Sequence, residues 1–118
     1  MLSFFQKLYT AFCYSFQGIK YAFRTQFAFR TEIFLTIIIV PLAALLSNSA
    51  AEIALLLSSW FLVILTELIN TAIEITIDRI SLERHELSGR AKDIGSAAVL
   101  IACINVVVVW GLVVFGGY

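Results

Sequence analysis

Apolar residues recur with helical spacing at the start of the chain: Phe5, Leu8, Tyr9, Phe12, Phe16, Ile19 and Phe23. At ~100° per residue they form one narrow stripe, with Lys7, Tyr14, Gln17 and Tyr21 on the other side. The pattern predicts an amphipathic helix over residues 1–25. Beyond it the stripe gives way to solid apolar runs. Ile33 to Leu46 is broken only by Thr36 and Pro41, and reaches the ~20 residues of a membrane span if Phe27 to Phe29 are included and Arg30 and Glu32 sit in the interface. Pro41 is tolerable there, because neighbouring helices can satisfy the freed carbonyl. Ser47-Asn48-Ser49 reads as a turn, and a second run follows over 50–80. Its first part, Ile53 to Leu65, is nearly all apolar; its second carries Glu67, Asn70, Glu74 and Asp78 at spacings of three, four and four, which stacks them on one helix face. A polar linker is expected over 81–93, then a third, uncharged run over 94–115 with Trp110 near its far end.

Composition makes these runs spans rather than core helices. The 118 residues are 61% hydrophobic and 14% charged, against about 25% charged in a soluble domain, and mean hydropathy is +0.97. That exceeds what one small core can bury, so the expected solvent is the bilayer and the expected architecture is all-α integral membrane: one domain over 1–118, with a surface helix and three transmembrane helices. Zero formal net charge, without a basic stripe interleaved with aromatics, weighs against a nucleic-acid partner. Cys13 and Cys103 lie far apart and form no Cys/His cluster, so neither a disulfide nor a zinc site is expected. The first 25 residues lack the apolar run and small-residue cleavage site of a signal peptide. All eight basic residues precede the first span or lie between the second and third, placing the amino terminus inside and the carboxyl terminus outside by the positive-inside rule.

Charge inside a span is costly and usually marks function. Glu67 follows Glu52 by fifteen residues, roughly 22 Å of helix, which puts it near the cytoplasmic side of the hydrocarbon; Glu74 and Asp78 lie further towards water. One bland reading is that Glu67 and Glu74 pair with Arg79, Arg84 or Lys92 and only fix packing. The functional reading divides the labour: the deeper Glu67 suits a general base towards a hydroxyl, and Glu74 suits Mg²⁺, which is held by one or two carboxylates and substrate phosphates. Arg84, Arg90 and Lys92 supply charge for those phosphates, with no P-loop present. Gly89 is expected in a turn, Gly95 at a close helix approach, His85 in a solvated loop, Asn105 as interhelical glue, and Gly116-Gly117 at a frayed end.

The segments E-L-I-N-T-A-I-E-I-T-I-D-R-I and H-E-L-S-G-R-A-K-D-I-G-S-A-A-V-L-I-A, with Y-S-F-Q-G-I-K and F-A-F-R-T-E upstream, closely resemble the small prokaryotic integral-membrane diacylglycerol kinases. The resemblance implies a homotrimer with active sites shared between subunits, phosphorylating diacylglycerol to phosphatidic acid with ATP and Mg²⁺ in the bacterial inner membrane. It puts the general base on Glu67, an essential polar group on Asn70 and the metal carboxylate on Glu74. Nucleotide contacts carry over to Lys7, Tyr14, Gln26, Glu74, Glu83, Arg84, His85, Lys92 and Asp93. Lipid-side contacts carry over to Ala28, Phe29, Arg30, Thr31, Glu32, Glu67, Ser96 and Trp110.

One position departs from that pattern. The resemblance calls for a second metal-binding glutamate three residues before the Phe29-Arg30 pair, where this chain has Gln26, an amide that offers an oxygen without charge. Metal binding is therefore expected to be weaker. Glu32, six residues on, points to a different helix face. The sister branch, undecaprenol kinase, is the nearest alternative, although the R-x-x-x-x-x-H-E-L-S-G-R-A-K-D form resembles the diacylglycerol branch. A small ion or proton transporter is the rival from another class, and it would need polar groups continuing through Ile53 to Leu65 and Ile104 to Phe115. Only Ser58, Ser59 and Asn105 are found there.

Overall fold

Four helices follow one another: α1 (Phe4–Thr25), α2 (Phe27–Leu46), α3 (Ala50–Ile80) and α4 (Glu86–Phe115). They are described by a computed structural model covering residues 1 and 3–116, so Gly117 of the expected frayed end lies outside the described residues. Helix α1 begins with a capping box: Ser3 Oγ accepts from the Gln6 amide, and Gln6 Oε1 accepts from the Ser3 amide at 2.8 Å. It ends at Gln26, a single extended residue that is also the N-cap of α2. The Arg30 guanidinium reaches back across this joint and donates to the carbonyls of Phe23 (3.1 Å) and Arg24 (3.3 Å). A cation thereby satisfies carbonyls that the end of a helix leaves free. Phe23 and Phe34 meet edge to face at 5.7 Å across the same joint.

Helix α2 continues through Pro41. Helix α3 starts at Ser49, whose hydroxyl accepts from the Glu52 amide at 3.2 Å, and runs unbroken for 31 residues, about 46 Å at 1.5 Å per residue. Its continuity puts Glu67, Asn70, Glu74 and Asp78 on one face.

The polar segment expected as a linker over 81–93 is only partly loop. Helix α4 starts at Glu86, so five residues separate it from α3 and residues 86–93 are helical. His85 is its N-cap, with Nδ1 accepting from the Leu87 amide at 3.1 Å, and Glu86 and Arg90 form an i,i+4 ion pair at 2.7 Å. Gly89, expected in a turn, therefore lies inside the helix.

Helices α3 and α4 run antiparallel along a shared seam, joined by Asp78–Lys92, by Asn70 against Gly95, and by Leu56–Trp110. Gly95 and Ala102 are buried in that seam; small residues let helix backbones approach closely where lipid supplies no hydrophobic drive. At the far end Ala43, Leu56 and Val113 make a core flanked by Val109 and Trp110. Trp110 Nε1 donates to the Leu56 carbonyl at 3.2 Å. Trp60 ties α3 to α2 by donating to Thr36 Oγ1 at 2.8 Å. The outward faces are apolar: Ile37, Leu45, Ile94, Ile101 and Val107 are all exposed. Helices α2, α3 and α4 are each long and apolar enough to cross a membrane. The chain is an all-α integral membrane protein with three spans.

Candidate active site

The face of α3 that turns polar below Val63 meets the first turns of α2 on one side and α4 on the other. Glu67 and Glu74 are half-buried on it, and Asp78 is exposed. Glu32 of α2 is near enough to Glu67 for their charges to interact, and Glu67 stands in the same relation to Glu74. Glu32 Oε2 is buried without a hydrogen-bond partner. Carboxylates of α2 and α3 thus act on one another in sequence, Glu32 on Glu67 and Glu67 on Glu74, with the last two about two helical turns apart along α3. The approach of Glu32 was not foreseen, because helix periodicity within α2 does not reveal how α2 crosses α3.

None of the three is neutralised by a cation of the chain. Among the described residues the ion pairs are Arg90–Glu86 and Lys92–Asp78, the latter at 2.8 Å between α4 and α3. Within the chain, neither Glu67 nor Glu74 makes the pairing with Arg79, Arg84 or Lys92 that the packing alternative calls for: Lys92 is taken by Asp78, one turn beyond Glu74. Glu74 is instead hydrogen-bonded by Asn70, whose Nδ2 donates to Oε1 at 3.3 Å. Carboxylates without a cationic partner in a low-dielectric setting attract a cation.

Beyond Glu74 lies a polar cavity of about 220 Å³, lined by Asp78, Ser81, Glu83, Arg84, His85, Ser88 and Lys92 among others. It gathers four of the expected nucleotide contacts: Glu83, Arg84, His85 and Lys92. Lys7, Tyr14, Gln26, Glu74 and Asp93 do not line it. Lys7 and Tyr14 are exposed on α1, Asp93 is exposed on α4, and Gln26 sits half-buried at the α1–α2 joint.

The expected lipid-side residues divide similarly. Ala28, Thr31 and Glu32 line an apolar groove of about 420 Å³ with Trp60, Cys103 and Val106. Arg30 is engaged with the α1 carbonyls, Phe29 is 2% exposed and packs inside the bundle, and Ser96 is exposed beside Gly95. Trp110 lies at the opposite end: it meets Leu56, eleven residues before Glu67, or about 16 Å along α3. Asn105 shares a groove with Thr66, whose hydroxyl is already bonded to Val63.

No group of three or more His, Cys, Asp or Glu side chains able to hold a metal ion occurs among the described residues. A hard cation here would draw on one or two carboxylates and complete its shell from a ligand or water.

Comparison with known proteins gives a consistent picture. A family model described as prokaryotic diacylglycerol kinase matches residues 13–114. The chain is 53% identical over 102 residues to a diacylglycerol kinase of Haemophilus influenzae, covering 86% of each. It is 42% identical over 111 residues to one of Pseudomonas aeruginosa, covering 94% of this chain and 90% of the relative. It is 43% identical over 114 residues to one of Escherichia coli K12, covering 97% and 93%.

Proposed function

The chain belongs to the prokaryotic diacylglycerol kinase family, and from that premise we propose that it transfers the γ-phosphoryl of ATP to the hydroxyl of diacylglycerol, making phosphatidic acid at the cytoplasmic face of the bacterial inner membrane. The observation that carries the site assignment is the run of un-neutralised carboxylates Glu32, Glu67 and Glu74, the last one turn from a cavity lined by Asp78, Glu83, Arg84, His85 and Lys92. Phosphoryl transfer is mostly a matter of positioning and charge neutralisation, and these two neighbouring environments supply both. The lipid stays in the apolar layer while the polyphosphate meets Arg84, His85 and Lys92 in the polar cavity.

In this reading Glu67 accepts the proton of the lipid hydroxyl. It carries no ion pair, so its charge is available to that hydroxyl, and its half-buried setting keeps bulk water from competing. Asn70 holds the neighbouring Glu74 in place. Arg84, His85 and Lys92 bind and orient the phosphates, Lys92 exchanging its contact with Asp78 for one with the nucleotide. Lys7 and Tyr14 contribute to the nucleotide site from α1, in an assembly of three chains with shared sites.

The donor set is compatible with Mg²⁺. One half-buried carboxylate, Glu74, braced by an amide, is the small protein share that Mg²⁺ takes when substrate phosphates provide the rest. When bound, the ion would neutralise charge on the transferred group. Gln26 adds at most a neutral oxygen from the α1–α2 joint. A transporter is disfavoured because few polar groups lie beyond Glu67 and two of them are engaged: Ser59 donates to the Leu56 carbonyl and Trp60 to Thr36.

The test is transfer of label from γ-labelled ATP in mixed micelles containing either diacylglycerol or undecaprenol. Labelled phosphatidic acid is the expected product. Label on undecaprenol alone would move the chain to the sister branch, and label on neither lipid would sink the kinase reading.

A further inference from the structure

Gly95 is buried in the α3–α4 seam. A Cβ at this position would collide with Asn70 Oδ1, and would also meet Asn70 Cγ at 3.3 Å and Ile73 Cδ1 at 3.6 Å. The same Asn70 donates through Nδ2 to Glu74 Oε1, while its Oδ1 is buried without a hydrogen-bond partner. Chemistry fixes which way the amide faces. An ionised carboxylate only accepts, so nitrogen must face Glu74 and oxygen must face the α4 backbone at Gly95. Asn70 is therefore wedged between α4 and Glu74.

We propose that Gly95 is a positioning residue for the Glu74 carboxylate, acting through Asn70. The space left by its missing side chain is the space in which the Asn70 amide is held against Glu74. A side chain at position 95 displaces the amide, and Glu74 loses the hydrogen bond that sets its direction. The effect belongs to this position: at Gly89 and Gly111, on the same helix, an added Cβ would have nothing within 4 Å, so a side chain there meets open space. The inference rests on reading Glu74 as the metal carboxylate. Groups that orient a metal ligand without touching the metal typically change affinity by about 10–100-fold when altered.

The experiment uses the full chain in detergent micelles and titrates Mn²⁺ by EPR in the presence of a non-hydrolysable ATP analogue, with melting and lipid phosphorylation measured in parallel. Gly95→Ala and Asn70→Ala are each expected to weaken Mn²⁺ binding about 10–100-fold. In the double variant the amide that the new methyl group would strike is already gone, so it should lose no more than about twofold beyond Asn70→Ala. Gly111→Ala should match the wild type. If Gly95→Ala impairs folding, restoration of melting by Asn70→Ala supports the wedge, whereas an equal melting loss in both backgrounds reduces Gly95 to a packing residue and overturns it. Unchanged Mn²⁺ affinity in Gly95→Ala, equal losses in both backgrounds, or full affinity in Asn70→Ala would also overturn it. A wild-type protein that binds no Mn²⁺ with the analogue removes this inference together with the metal assignment. A wild type that binds Mn²⁺ but labels no lipid sinks the kinase reading alone, because the coupling is read from binding.

Discussion

Glu67→Gln separates a catalytic carboxylate from a packing one by moving activity and stability in different directions. The substitution keeps shape and removes charge. A positioned general base contributes about 10²–10⁴-fold, so turnover should fall by that factor, equivalent to about 2.7–5.5 kcal/mol at ~1.36 kcal/mol per tenfold. Stability should not fall with it. Breaking a buried ion pair costs about 3–5 kcal/mol, but Glu67 has no cationic partner among the described residues and neighbours Glu32 and Glu74 instead. Removing a charge that is repelled by both Glu32 and Glu74 leaves the melting midpoint unchanged or raises it. Binding of an ATP analogue should persist, because Glu67 does not line the cavity of Arg84, His85 and Lys92. Turnover would be followed with labelled ATP and diacylglycerol in mixed micelles, melting in the same detergent, and nucleotide binding by calorimetry. Turnover within about tenfold of wild type would refute the base assignment. A lower melting midpoint would refute the description of Glu67 as unpaired.

Gln26→Glu should lower the Mg²⁺ concentration giving half-maximal activity by about tenfold, since affinity for hard cations follows the number of charged ligands; an unchanged Mg²⁺ requirement would show that position 26 takes no part. Lys92→Met should raise the KM for ATP at least about tenfold, while Asp78→Asn should leave it equal or lower by freeing the ammonium group. Matching increases in the two variants would mean that the Asp78–Lys92 pair is only a clasp between α3 and α4. Trp60→Phe should destabilise the protein by about 0.6–1.7 kcal/mol by removing an interhelical hydrogen bond within the apolar layer, read as a lower melting midpoint in detergent with kcat retained; a midpoint equal to wild type contradicts the link to Thr36.

The three spans and the shared face of Glu67, Asn70, Glu74 and Asp78 were legible because both are properties of one helix: its length, its apolar content and its 3.6-residue period. Gly95 was legible as a close approach because a glycine in an apolar helix has few other uses. What escaped the sequence depends on how two helices cross. Lys92 selects Asp78 over Glu67 or Glu74 through the register of the α3–α4 seam. Glu32 meets Glu67 through the α2–α3 crossing, and Arg30 caps α1 because the chain turns sharply at Gln26. The helical turns of 86–93 that precede the expected span escape hydropathy for a different reason. Residues 86–93 are polar enough to resemble a loop by hydropathy, yet the His85 cap and the Glu86–Arg90 pair are local signals for a helix.

The sparse burial of the spans bears on how the protein comes apart. Only 11% of the most apolar stretches of α2 and α4, and 22% of that of α3, is buried inside the chain. Helices that separate within a micelle keep their own backbone hydrogen bonds and exchange one apolar neighbour for another. The response of stability to urea scales with the surface newly exposed to water, and here that surface is small. The denaturant slope should therefore be shallow for a chain of 118 residues. Resistance to urea would then reflect the solvent in which the helices part, and heat or a change of detergent would be the more telling probe of the contacts that join them.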